Sequence, residues 1–266
     1  MFLFASRIVT LAVVCSTCVT AADAHAQARV PDPTPTGRWT GVYFGVGAGL
    51  GRGTPDSRVD WNDTALAEGP HPPAVPADYS KRIDGSIGVA QLGWNHRWGR
   101  VVTGLEADLS FGDINGDLSV GGPLAPPFVT PYAYEERLTL TRLGTVRGRL
   151  GFAPASRWLL HVSGGLAYGT AQAQTDLRFF SLSGVQSAQY RGSASETRMG
   201  WTIGAGTELA LARSLSARLD YLHFDLGTMN VSGIRSPAFP TLFTVNEQAV
   251  KGQIVRVGLN YRFGAR

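Results

Sequence analysis

Cysteine, long apolar runs and blocks of like charge are what this sequence has least of, and each shortage excludes a class of protein. Only Cys15 and Cys18 occur among the 266 residues, both close to the start. The rest of the chain therefore has no thiol for a disulfide, a zinc–thiolate cluster or a haem thiolate. Past that start, no stretch reaches the roughly 20 apolar residues that a membrane-crossing helix needs. The net charge of +4 comes from arginines scattered through alternating patterns rather than gathered in a run, which argues against nucleic acid as a partner. Outside the start, His71, His96, His161 and His223 fall at no metal-ligand spacing, so neither a metal nor another cofactor is expected.

Glycine is abundant, at 33 of 266 residues, about 12% against the usual ~7%. Helices tolerate glycine poorly, so an ordered chain this rich in it favours strands and turns. Hydrophobic residues make up 44% of the chain, too many for a disordered one. A mean hydropathy of −0.01 is too low for a helical membrane bundle.

Residues 1–26 read as a secretory signal peptide. Arg7 is its positive end, Ile8 to Val19 its short apolar stretch, and Ala24-His25-Ala26 a small-x-small cleavage site. Lipid attachment at Cys15 or Cys18 would want Gly, Ala or Ser in front, whereas Val14 and Thr17 stand there. A Pro-rich periplasmic leader follows over 27–38. Residues 39–266 form the folded part, either a soluble periplasmic β protein or one that enters a membrane as strands.

That part resolves into eight segments of period-2 alternation, at 39–52, 82–95, 100–112, 137–152, 157–172, 198–211, 214–227 and 250–263. Tight links join the second to the third, the fourth to the fifth and the sixth to the seventh. Long polar excursions lie around 53–81, 113–136, 173–197 and 228–249. Short links alternating with long ones, and an even strand number, are the marks of a bacterial transmembrane barrel. The alternation agrees. Val101, Leu105, Ala107, Leu109 and Phe111 oppose Gly104, Glu106, Asp108 and Ser110, and Val255, Val257, Leu259, Tyr261 and Phe263 oppose Arg256, Gly258, Asn260 and Arg262. Strands can cross lipid only as a closed ring, with the apolar face on acyl chains and the polar face inward. Segment two breaks the rule, since Ile87 and Val89 share a face with Gln91, and a bulge is expected there. Trp39, Phe152, Trp158, Tyr261 and Phe263 near one end, with Phe111, Tyr168 and His223 near the other, read as the two interfacial girdles.

Several stretches then carry a family resemblance. Trp39-Thr40-Gly41-Val42-Tyr43-Phe44-Gly45 resembles the first strand of small, porin-like alphaproteobacterial outer-membrane barrels, relatives of the outer membrane protein A transmembrane domain. Gly144 to Phe152, Gly200 to Gly206 and Leu219 to Gly227 look like later strands of that family. Val255 to Phe263 is similar to the C-terminal signal read by barrel-assembly machinery, with Tyr261 and Phe263 as its aromatics, although Gly264-Ala265-Arg266 follow here. The resemblance implies an eight-stranded antiparallel up-and-down β-barrel in the outer membrane of a Gram-negative cell. Its partners would be the lipid bilayer, the barrel-assembly machinery and periplasmic chaperones.

Eight strands leave an interior just wide enough for side chains to fill. Alternation places Glu106, Asp108, Glu208 and Asp220 inside with Arg147, Arg149, Arg218, Arg256 and Arg262, and unpaired charges there would be costly, so a salt-bridge network is expected. Such a network is either a polar plug or the lining of a narrow diffusion pore for small solutes. His161 is expected to join it. An enzyme built on His161 with Ser163, or His223 with Asp225, is not expected. Period-2 Gly45, Gly47, Gly49 and Gly51 read as a strand packing inward, not as a phosphate loop. The long loops carry Phe128, Tyr132, Phe239 and Phe243, and some relatives in the family are described as haem-binding. Host or haem contact through the loops is thus a further reading, beside a structural, envelope-supporting surface protein.

Overall fold

The computed structural model describes residues 38–61, 78–123, 131–236 and 239–263. The signal segment and the leader up to residue 37 fall outside them, as do Phe128, His71 and the three residues after Phe263. Ten strands follow in order: β1 (Gly41–Gly53), β2 (Asp56–Trp61), β3 (Asp78–Ser80), β4 (Ile83–Trp98), β5 (Val101–Pro123), β6 (Pro131–Ala155), β7 (Trp158–Phe180), β8 (Gln186–Ala210), β9 (Leu215–Ser236) and β10 (Phe239–Arg262). Eight of them close a ring, β1-β4-β5-β6-β7-β8-β9-β10 and back to β1, every contact antiparallel. The closing seam runs from Tyr43↔Arg262 to Arg52↔Gln253, and the Phe263 amide donates to the Val42 carbonyl at 2.9 Å. This is the expected eight-stranded all-β barrel. Strands β2 and β3 form an added hairpin on β10 beyond the end of β1.

Each strand of the ring carries a belt whose outward side chains are apolar and exposed, as at Leu105 (62%), Leu166 (60%) and Val257 (58%). The belt runs from Val101 to Phe111 on β5 and from Trp158 to Tyr168 on β7, close to the roughly 9–11 residues that a tilted strand needs to cross a bilayer. So much contiguous exposed apolar surface around a closed ring would be untenable in water.

Four expectations are corrected. First, the excursions at 113–136, 173–197 and 228–249 are in large part strand, since β5 to β10 run for 22 to 25 residues. Beyond the belt the polarity of the alternation inverts. Tyr132, Tyr134, Leu138 and Leu140 point inward and are buried, while Glu135 and Arg137 point out. The outward face there meets water, and the inward face has to be packed by the protein itself. Second, β4 has no bulge against β1, where register is unbroken from Gly41↔Asn95 to Gly53↔Ile83. Register shifts fall elsewhere, among them in β5–β6 between Phe111 and Ile114, beside Gly112 at φ 140°, and in β6–β7 between Leu140 and Arg142. Ile87 and Val89 face inward because an apolar layer of the lumen begins at their level. Third, Trp39 is not in a girdle. It is fully buried with Val102, Ala153, Leu159 and Ala210, closing the turn-side mouth. Fourth, Tyr132 is an inward residue of β6, buried with Tyr134, Leu177 and Tyr190, and not an exposed loop aromatic. The side chains of Phe239 and Phe243 fall outside the described ones.

Candidate functional site: an ion network in the lumen

Alternate residues of neighbouring strands, held in register by the ladder, bring the inward charges to one level. Glu106 and Arg147 are direct partners across β5–β6, Glu208 and Arg218 across β8–β9, and Asp220 and Arg256 across β9–β10. Glu106 is the hub. Its carboxylate accepts from Arg147 and from both Arg218 Nη atoms, one of them at 2.8 Å, and from the Tyr43 hydroxyl at 2.5 Å. Arg149 at 3.6 Å and Arg256 at 3.7 Å complete its cationic shell. Asp108 accepts from Arg147 at 2.6 Å, Arg256 at 3.1 Å and the Thr145 hydroxyl at 2.8 Å. Glu208 accepts from Arg149 Nη2 at 2.5 Å and from the Ser216 hydroxyl at 3.3 Å. Asp220 pairs with Arg218 Nε at 2.5 Å and Arg256 Nε at 3.2 Å, and with His161 Nε2 at 3.1 Å. All these side chains are buried to within a few per cent. Four carboxylates thus face four guanidiniums, and each carboxylate is engaged by at least one of them.

Eight of the nine charged residues expected from alternation meet here, and Arg262 does not. It is buried, but it lies at the turn-side mouth, donating to the Arg38 carbonyl with its guanidinium 5.0 Å over the Trp39 ring. Among the described residues it forms no ion pair. Its place at the end of β10, beyond the carboxylate level, is the reason. Sequence reasoning missed Tyr43, whose hydroxyl donates to Glu106 and accepts from Arg149 Nη1 at 2.9 Å. The signal was present, because Tyr43 shares the inward parity of Gly45 and Gly47 and faces Gly93 across β1–β4. A Cβ at Gly93 would meet the Tyr43 ring at 2.3 Å, so glycine there is what admits the ring. Gly206 does the same for the Asp220–His161 pair, its absent Cβ lying 2.3 Å from Asp220 Oδ1. Ser163 accepts from Arg147 at 3.2 Å, and His223 sits outward beside Trp201 at 5.3 Å.

Two further layers close the lumen above the network. The first is apolar, with Ile83, Ile114, Leu138, Phe224, Met229 and Ile254 among its members. Above it Glu136 accepts from Lys81, from Ser57 at 2.7 Å and from the Tyr134 hydroxyl at 2.8 Å. Burial pushes the Lys81 ammonium below its ordinary pKa, with Glu136 opposing. Tyr79 stacks on Tyr134 at 5.0 Å over this pair. Two small spaces, one against the network and one within the apolar layer, measure about 10 Å³ each, too small for a file of water.

A closed ring with a lipid-facing apolar belt and a charged, self-paired interior is now in place, and residues 11–263 match the family described as the outer membrane protein beta-barrel domain. The chain belongs to that family. This outer-membrane barrel is 31% identical over 235 residues to the 31 kDa outer-membrane immunogenic protein of Brucella melitensis, covering 87% of this chain and 86% of the relative. It is 27% identical over 192 residues to the 22 kDa outer membrane protein of Rhizobium leguminosarum, covering 72% and 66%. Among solved structures it is similar to OprG from Pseudomonas aeruginosa, at a TM-score of 0.46 and 14% identity over 84% of this chain and 97% of that one. The outer-membrane barrel therefore resides in the outer membrane, with its belt embedded in the bilayer.

Proposed function

We propose that this outer-membrane barrel is a closed, structural envelope protein rather than a pore, with the ion network as a permanent plug. The observation that carries the reading is the stacking of layers across the lumen: Trp39 at the mouth, then the Glu106-centred network, then the apolar layer, then the Lys81–Glu136 pair. A pore needs unpaired charge along a continuous water path, whereas the four network carboxylates are engaged by arginines and the layer above them is apolar. The role in this reading is non-enzymatic. The extended strands carry polar outward faces past the lipid, which supports presentation of that part at the cell surface, and the Brucella relative is named as immunogenic. The exposed Tyr261–Phe263 pair, edge to face at 5.3 Å on the last strand, is the feature that barrel-assembly machinery and periplasmic chaperones would read. Planar-bilayer recording from the purified barrel tests the plug. No stable openings are expected at neutral pH, and discrete, reproducible openings would overturn it.

A further inference from the structure

Above the lipid belt, the outward face of β5 to β8 forms a groove of about 840 Å³. Two rows of directly opposed residues build it. One row is Asp117, Arg137, Gln174 and Ser193, the other Ser119, Glu135, Asp176 and Arg191. The inward neighbours are buried on β6 and β7 (Glu136, Thr175) and half-buried on β5 and β8 (Leu118, Gly192), so these side chains belong to the outer wall. We propose that this groove binds the saccharide chain of the glycolipid that forms the outer leaflet, and this does not depend on whether the lumen conducts.

The chemistry of the face selects the ligand. Asp117, Glu135 and Asp176 balance Arg137, Arg178 and Arg191, pair by pair: Arg137–Asp117 at 2.6 Å, Arg191–Asp176 at 3.2 Å, and Arg178 with Glu135. With no surplus of positive charge, the face is not built for a phosphate. Without an apolar centre it does not resemble the core of a protein interface. The ion pairs orient these solvent-facing side chains only weakly and leave much of their bonding capacity open. Arg137 and Arg191 use only Nε on their carboxylates, so their Nη groups remain free to donate. The side chains of Ser119, Gln174 and Ser193 make no hydrogen bond among the described residues. A neutral surface with unspent donors and acceptors matches a ligand rich in hydroxyl groups.

Position selects the source. Gln174 and Asp176 stand six and eight residues past Tyr168, the last outward aromatic of the β7 belt. At ~3.3 Å per residue and a tilt near 40°, that places the groove about 15–20 Å above the lipid belt. The groove opens sideways, along the wall, and not at the tip of a loop. A saccharide rising from a neighbouring glycolipid lies against it, whereas a soluble partner would have to work its way down between the wall and that layer.

The test uses the barrel in nanodiscs of phosphatidylcholine, titrated with lipid A, with glycolipid carrying a complete core oligosaccharide, and with the same oligosaccharide released from lipid. The core-bearing glycolipid is expected to bind about tenfold more tightly than lipid A. Ser193→Trp, which fills the groove, removes that difference, while Asn230→Trp, on the exposed face of β9, keeps it. Should Ser193→Trp fail to show the folded gel band, Arg191→Met removes the donors without adding bulk and is read in the same way. Equal affinity for lipid A and the core-bearing glycolipid would overturn the proposal, as would a Ser193→Trp barrel that retains the preference. Released oligosaccharide that binds as tightly as the tethered form would overturn the assignment to the outer leaflet.

Discussion

Arg149→Met removes the guanidinium that binds Glu208 at 2.5 Å and the Tyr43 hydroxyl at 2.9 Å and approaches Glu106 at 3.6 Å. Glu106 keeps three other arginines, whereas Glu208 is left with the Ser216 hydroxyl at 3.3 Å as its remaining hydrogen bond. Removing one partner of a buried pair costs about 3–5 kcal/mol, because the other charge stays in a low-dielectric site without compensation. The loss therefore belongs to the stranded carboxylate more than to the missing arginine. Adding Glu208→Leu in the same chain removes that carboxylate and is expected to recover at least half of the loss, since apolar replacement of a whole buried pair is often near neutral. Equilibrium urea unfolding in lipid vesicles, followed by tryptophan fluorescence and by the heat-shifted gel band, gives the double-mutant cycle. An Arg149→Met barrel within about 0.5 kcal/mol of wild type, or a double variant as unstable as the sum of the singles, would refute the reasoning that the lumen is dry and closely paired.

Two further outcomes follow from the same geometry. Gly93→Ala places a methyl group 2.3 Å from the Tyr43 ring and should cost about 1–3 kcal/mol by overpacking; Tyr43→Ala in the same chain should remove most of that extra cost, as read by the same unfolding assay. Val162→Arg, at the middle of the outward belt of β7, should cost about 2–4 kcal/mol, and Gln172→Arg, on the same face but past the belt, about 0–1 kcal/mol; equal costs at both would mean that no lipid boundary lies between them.

The belt of each strand could be read from sequence because lipid outside and charge inside give the alternation its largest amplitude, as at Glu106 and Asp108 between Leu105, Ala107 and Leu109. The same physics hid the rest. Past Phe111 and Tyr168 the outward face turns polar and the inward face turns apolar, so Tyr134, Leu138 and Thr175 inside against Glu135, Arg137 and Gln174 outside look like a polar loop to a search for outward grease. Ile87 and Val89 suggested a bulge for a related reason, since they mark the level at which the lumen changes from charged to apolar. Eight charges of the network were legible from parity alone. Tyr43 was missed because an aromatic in an outer-membrane strand invites a girdle reading, and Trp39 was misplaced by the same reasoning. Arg262 has the right parity and the wrong height, a distinction that needs the register between strands. The Lys81–Glu136 pair joins the link between β3 and β4 to β6, two strands further round the ring, and no local pattern announces it.

Quenching of single-tryptophan barrels by spin-labelled acyl chains tests most directly whether lipid touches the apolar face and the interior is sealed. Barrels retaining only Trp94, Trp158 or Trp201, each about half exposed on the outer wall, should lose most of their fluorescence to the labelled lipid. A barrel retaining only Trp39, which is fully buried at the mouth, should keep it. Quenching of Trp39 together with protection of Trp201 would place lipid on the wrong face and contradict the barrel as described.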